Sequence, residues 1–176
     1  MYQRLVVPLD GSDIAELALV EAEHMATLTR APLHLVRVVD FNGQDTAAVY
    51  GKMTDSSVVS ILFDDEVESA REYLESVARR IVGHGHRVYC EVRRGSVANE
   101  LIDAARPGDL YVIASHGRTG LARWFMGSVA EEVVRRSSVS VLLIKASSYV
   151  GIRPGAGPSL AMSIAGRAPT DAAPFR

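Results

Sequence analysis

The sequence predicts an α/β fold: a single-domain, five-stranded, parallel open sheet with helices on both faces. Three observations carry that prediction. Short apolar runs alternate with segments of helical periodicity, the pattern of βαβ units. Three of these runs, Leu5–Leu9, Leu110–Ala114 and, but for Ser140, Val139–Ile144, are continuously apolar, as parallel strands covered on both faces are. The 176 residues, 48% hydrophobic and 23% charged, match an ordinary globular chain and suffice for one domain with a substantial core.

Each element has its own signal. The first strand, Leu5–Leu9, stops at the turn cluster Asp10-Gly11-Ser12. From Asp13 to Arg30, Ile14, Leu17, Ala18, Val20, Ala22, Met25 and Leu28 recur at helical spacing, and Ala31-Pro32 ends the run. Leu33–Val39 is the second strand. Residues 41–60 form a connection longer than is usual in compact domains, which points to a lid, a partner contact or mobility. Asp64 to Val82 is an amphipathic helix with Val67, Ala70, Tyr73, Leu74, Val77, Ala78 and Ile81 on one side, and Gly83-His84-Gly85 offers left-handed caps. Arg87–Val92 is the third strand. Cys90, the only cysteine, reads there as a core thiol, and one cysteine permits neither an intrachain disulfide nor a Cys-x-x-Cys metal pair. Ser96 caps a short helix that runs to Ala105, and Pro107-Gly108 turns the chain into the fourth strand, Leu110–Ala114. Ser128 to Arg136 is the last helix and Val139–Ile144 the fifth strand. Residues 147–176, rich in Pro, Gly and Ala and without periodicity, read as a flexible tail on a domain of residues 1–146.

Charge and hydropathy exclude several classes. A net charge of -2 with scattered basic residues argues against a nucleic-acid surface. No apolar run precedes Asp10, so no signal peptide is expected, and no apolar stretch approaches the ~18 residues of a membrane span. The expected location is cytoplasmic.

In open parallel sheets, ligands bind beyond the C-terminal strand ends, where the strand order reverses. Two turns leave such ends, Pro8–Gly11 and Ala114–Gly120, and they line one crevice if the first and fourth strands are neighbours. Gly117 and Gly120 let backbone approach a ligand, although ordinary turns use glycine as well. Gly127 precedes Ser128-Val129-Ala130-Glu131, which has capping-box spacing at a helix start. A helix N-terminus presents unpaired N–H groups, so the arrangement suits phosphate, although Ser128 also reads as a plain cap. The chain has no G-x-x-x-x-G-K-[ST] and no strand-one G-x-G-x-x-G. His116 reads as a general base or as a backbone-positioning residue, and His24, His34, His84 and His86 show no ligand spacing. No catalytic or metal-ligating set emerges.

Ala114-Ser115-His116-Gly117, the nine residues Arg118 to Met126, and Gly127-Ser128 resemble the nucleotide signature of the universal stress protein family. That signature is Gly, two residues, Gly, nine residues, then Gly-Ser or Gly-Thr; Ala114 stands where it has its first glycine. The resemblance spans Tyr2 to Lys145 and takes in Val7-Pro8-Leu9-Asp10-Gly11-Ser12, Val38-Val39-Asp40 and Val141-Leu142-Leu143-Ile144. It implies an adenine nucleotide alpha hydrolase-like fold and an ATP site. Asp10 then lies at the adenine edge, where a carboxylate accepts from an exocyclic amino group. The Val38 backbone and Pro8 wall the base. Ala114, Ser115, His116, Gly117, Arg118 and Gly120 wrap ribose and phosphates, with Arg118 offsetting charge, and Gly127, Ser128, Val129 and Ala130 supply the helix N-terminus. Mg²⁺ or Mn²⁺ carried by the phosphates and water needs few protein ligands. The resemblance further implies a homodimer through the Val139–Ile144 edge and a regulatory role in stress response instead of a dedicated enzyme's. A slow ATPase and a nucleotide-free dimeric interaction protein of the same fold are the alternatives.

Overall fold

A computed structural model describes residues 1–40, 56–115 and 127–145. The described elements are β1 (Arg4–Pro8), α1 (Asp13–Thr29), β2 (Leu33–Val39), α2 (Ser56–Val82), β3 (Val88–Arg94), α3 (Val97–Ala104), β4 (Asp109–Ser115), α4 (Ser128–Arg136) and β5 (Ser140–Lys145). The five strands form one sheet in the order β3-β2-β1-β4-β5, and every neighbouring pair is parallel. This is the predicted architecture, a single parallel five-stranded sheet flanked by helices.

Alternation along the strands divides the core in two. Leu5, Val7, Leu33, Leu35, Leu110 and Val112 pack with Ala18 and Ala22 of α1 and Leu74 and Val77 of α2. Val6, Val36, Tyr111 and Ile113 face the other way, against Leu101 of α3 and Ala130 and Val133 of α4. The chain winds outward from β1 to β3, then returns across the sheet to β4 and β5. Because βαβ crossovers are right-handed, that reversal places α1 and α2 on one face and α3 and α4 on the other.

Several expectations need correction. Helix α2 begins at Ser56, so residues 56–60 of the predicted long connection are helical. Residues 41–55 and the predicted tail, 147–176, lie outside the described residues. Cys90 is exposed, because β3 is an edge strand. What burial it has, with Glu75 nearby, raises its thiol pKa and keeps it protonated. Strand β5 is the other edge, as the family resemblance implies, but Val141–Leu143 are only half-buried and not covered on both faces as the apolar run alone suggests. Helix α3 does start after Ser96, but the Ser96 side chain makes no cap hydrogen bond.

The N-terminal ends of β1 and β4 are clasped by a buried ion pair. Arg4 Nη2 lies 2.6 Å from Asp109 Oδ2, Arg4 Nε donates to Oδ1 at 2.9 Å, and the Arg106 backbone N–H donates to Oδ2 at 2.8 Å. At the C-terminal ends the same two strands part. Their register runs Arg4↔Asp109, Leu5↔Leu110, Val6↔Tyr111 and stops, whereas β1 stays paired with β2 as far as Pro8↔Val36. Pro8 has no N–H to extend the ladder towards β4. The sheet therefore opens at the reversal of strand order.

Candidate nucleotide-binding cleft

A cleft of about 270 Å³ occupies this opening. That is near the lower end of the ~300–1,000 Å³ typical of small-molecule sites. Pro8, Leu9 and Asp10 line it from β1 and the following turn, Ala15 from α1, and Val36 and Val38 from β2. Ile113 and Ala114 contribute from β4, Val97 and Leu101 from α3, and Gly127, Ser128, Val129 and Ala130 from the start of α4. The adjacency of β1 and β4, which the sequence leaves open, is what brings the Pro8–Gly11 turn and Ala114 to one crevice.

Local chemistry shapes each wall. Asp10 Oδ1 accepts from the Ser12 N–H at 2.8 Å, forming an Asx turn, and Ser12 caps α1 by accepting from the Ala15 N–H at 3.1 Å. Gly11 between them has φ +88°, a conformation that favours glycine. Asp10 is thus both the turn residue and an exposed carboxylate at the cleft. On the opposite side α4 starts at Ser128, as the sequence predicts, with its cap one residue earlier. Gly127 is the N-cap, its carbonyl accepts from the Glu131 N–H at 2.9 Å, and no side chain among the described residues caps the helix. The capping box read from Ser128 and Glu131 is therefore not formed: Ser128 sits one residue inside the helix. Among the described residues the N–H groups at the start of α4 have no side-chain cap, and Gly127 to Ala130 border the cleft. The helix dipole adds positive potential there.

The floor is apolar and braced. Tyr111 is fully buried and its hydroxyl donates to the Leu101 carbonyl, tying α3 to β4. Burial, with Asp109 nearby, pushes the Tyr111 hydroxyl up to about 12, so it remains a donor at neutral pH.

Of the predicted site residues, Pro8, Asp10, Val38, Ala114, Gly127, Ser128, Val129 and Ala130 line this single cleft. Ser115 does not. It is 8% exposed and its hydroxyl donates to the Ile144 carbonyl at 3.3 Å, bracing β4 against β5. His116, Gly117, Arg118 and Gly120 lie outside the described residues. Leu9 falls within the turn expected at the crevice; sequence reasoning missed Ala15, Val36, Val97, Leu101 and Ile113. Val36 was accessible through the two-residue period that puts it on the face of Val38, and Val97 and Leu101 share a helix face at i, i+4. Nothing local says which cavity those faces border. Among the described residues no group of His, Cys, Asp or Glu could hold a metal ion, and no helix is long and apolar enough to cross a membrane.

Comparison with known proteins agrees with this architecture. Universal stress protein MJ0531 of Methanocaldococcus jannaschii is 31% identical over 149 residues, covering 82% of this chain and 83% of that protein. The solved structure of MJ0577, a universal stress protein of the same organism, is 26% identical and superposes with a TM-score of 0.66 over 82% of this chain and 96% of that one. A universal stress protein in complex with cAMP (24% identical, TM-score 0.56, covering 82% and 98%) shares the fold. So does the one from Archaeoglobus fulgidus in complex with dAMP (22%, 0.53, also 82% and 98%). The sequence model of the universal stress protein family matches residues 1–145, and the chain belongs to that family.

Proposed function

We propose that the cleft binds an adenine nucleotide, ATP foremost, and that the protein is a cytoplasmic, nucleotide-responsive regulator of the stress response. The observation that carries this reading is the polarity of the cleft. An acceptor, Asp10, stands at one end, the N-terminus of α4 with no side-chain cap among the described residues stands at another, and apolar residues lie between. A ligand that matches has a donor group, a flat apolar body and an anionic tail. Adenine nucleotides have all three: the exocyclic amino group faces Asp10, the base lies against Pro8 and Val38, and the phosphates meet Gly127–Ala130. The cAMP and dAMP complexes of proteins of this fold support the same assignment. From the sequence pattern, Gly117 and Gly120 let backbone close over the phosphates, and Arg118 offsets their charge.

Mg²⁺ or Mn²⁺ enters with the triphosphate, held by its oxygens and water, since carboxylate ligands are not gathered at the cleft. The exposed β5 edge is an apolar strand that a second copy covers by pairing, which gives a homodimer.

Isothermal titration with ATP-Mg²⁺ tests the reading. Wild type should give saturable heat and Gly127→Val should lose it, because the isopropyl group crowds the α4 N-terminus. Absence of heat with wild type refutes nucleotide binding and leaves the dimeric interaction protein. Turnover that vanishes in His116→Ala protein would instead favour the slow ATPase.

A further inference from the structure

Arg37 lies outside the cleft yet touches the turn that carries Asp10. It sits on β2 between Val36 and Val38, so its side chain leaves the sheet on the α1/α2 face while those two valines border the cleft. Its Cζ stands 5.1 Å from the centroid of the Tyr73 ring, within cation–π range. The guanidinium also lies close to Gly11: a Cβ there would meet Arg37 Nη1 at 3.2 Å and Cζ at 3.8 Å. The Tyr73 platform is itself anchored. Its hydroxyl donates to Glu16 Oε1 at 3.0 Å, and Arg80 Nη2 donates to Glu16 Oε2 at 2.7 Å. Burial and Glu16 push the Tyr73 hydroxyl upward, so this donor is retained across the physiological range. Strand β2, helix α1 and helix α2 thus converge on one residue of the β1–α1 turn.

We infer that Arg37 is a positioning residue for the base end of the cleft: set over Tyr73 and close to Gly11, its guanidinium holds the Asp10–Ser12 turn so that the Asp10 carboxylate faces the ligand. The Asx bond from Ser12 fixes the turn internally but not its tilt against the sheet. Gly11, lacking a side chain, is what leaves room for the guanidinium this close to the turn. The consequence is selectivity. A held carboxylate favours a base with an amino donor at that edge and gains nothing from one without it. This inference rests on the nucleotide reading above and assigns the residue that tunes it.

The test compares ATP with purine riboside triphosphate, which lacks the exocyclic amino group, in calorimetric titrations of the full chain. Arg37→Met should weaken ATP by about tenfold, on the order of one hydrogen bond to a charged group, and leave the analogue's affinity unchanged. The double variant with Asp10→Asn should bind ATP no more weakly than Asp10→Asn alone. If Arg37→Met does not fold, Tyr73→Leu, which removes the platform and keeps the cation, should show the same selective loss. Unchanged ATP affinity, equal loss of both ligands, or additive effects in the double variant overturns the inference while the nucleotide reading stands. Wild type that binds neither ligand removes both.

Discussion

Two serines with similar sequence signals have different roles. Ser12 is an N-cap whose Oγ accepts from Ala15 N–H, whereas Ser128 stands inside α4 behind Gly127. Ser12→Ala should therefore cost about 1 kcal/mol in urea unfolding, the worth of a typical cap. Ser128→Ala should stay within about 0.5 kcal/mol, as a surface change does. The S-x-x-E pattern at 128–131 pointed correctly to a helix start at Ser128, but the cap is Gly127, because spacing cannot tell a cap from a first helical residue. Asp10 was legible from its place after the first strand. Its second task, the Asx turn with Ser12, shows only in the coordinates.

At the scale of elements, β2, β3 and α3 are linked by a ladder of charges on the face they share. His34 Nε2 lies 2.6 Å from Glu91 Oε2, Arg93 Nη1 donates to Glu91 Oε1 at 2.6 Å, and Arg93 Nε donates to Glu100 Oε2 at 2.9 Å. Burial alone would raise the Glu91 pKa, but the hydrogen bonds with His34 and Arg93 outweigh it and hold the carboxyl below its ordinary 4.5. A depressed folded-state pKa means stabilisation that is present above the unfolded value and lost as pH falls through the folded one. Glu91→Gln should thus lower the urea midpoint at pH 7, and the gap from wild type should close as pH drops below 4.5. A gap that persists at pH 3 would show that packing, not charge, is responsible. The five strands and four helices of the described residues were readable in order because their signals are periodic and local. The start of α2 was missed by eight residues, since Ser56–Phe63 lacks the clear amphipathic stripe of the segment after Asp64.

For the whole molecule, the Arg4–Asp109 clasp and the splayed opposite ends of β1 and β4 are two ends of one design: closed below, open above. Asp109→Ala leaves a largely buried guanidinium unpaired and should cost about 3–5 kcal/mol, read as a lowered denaturant midpoint. Light scattering should give twice the chain mass if β5 edges pair, and a monomer would refute that assembly. The sequence by itself determined the α/β class, the order of the elements and the residue types at strand ends and helix starts, because turn chemistry and hydrophobic period act over a few positions. It could not determine that β1 lies beside β4, that β3 is the edge opposite β5, or that Arg37 reaches Gly11. Those outcomes join residues as far apart as Arg4 and Asp109 and depend on how the whole sheet buries its two faces. The site residues were legible one by one, and only strand adjacency, a long-range consequence of that burial, gathered them into a cleft.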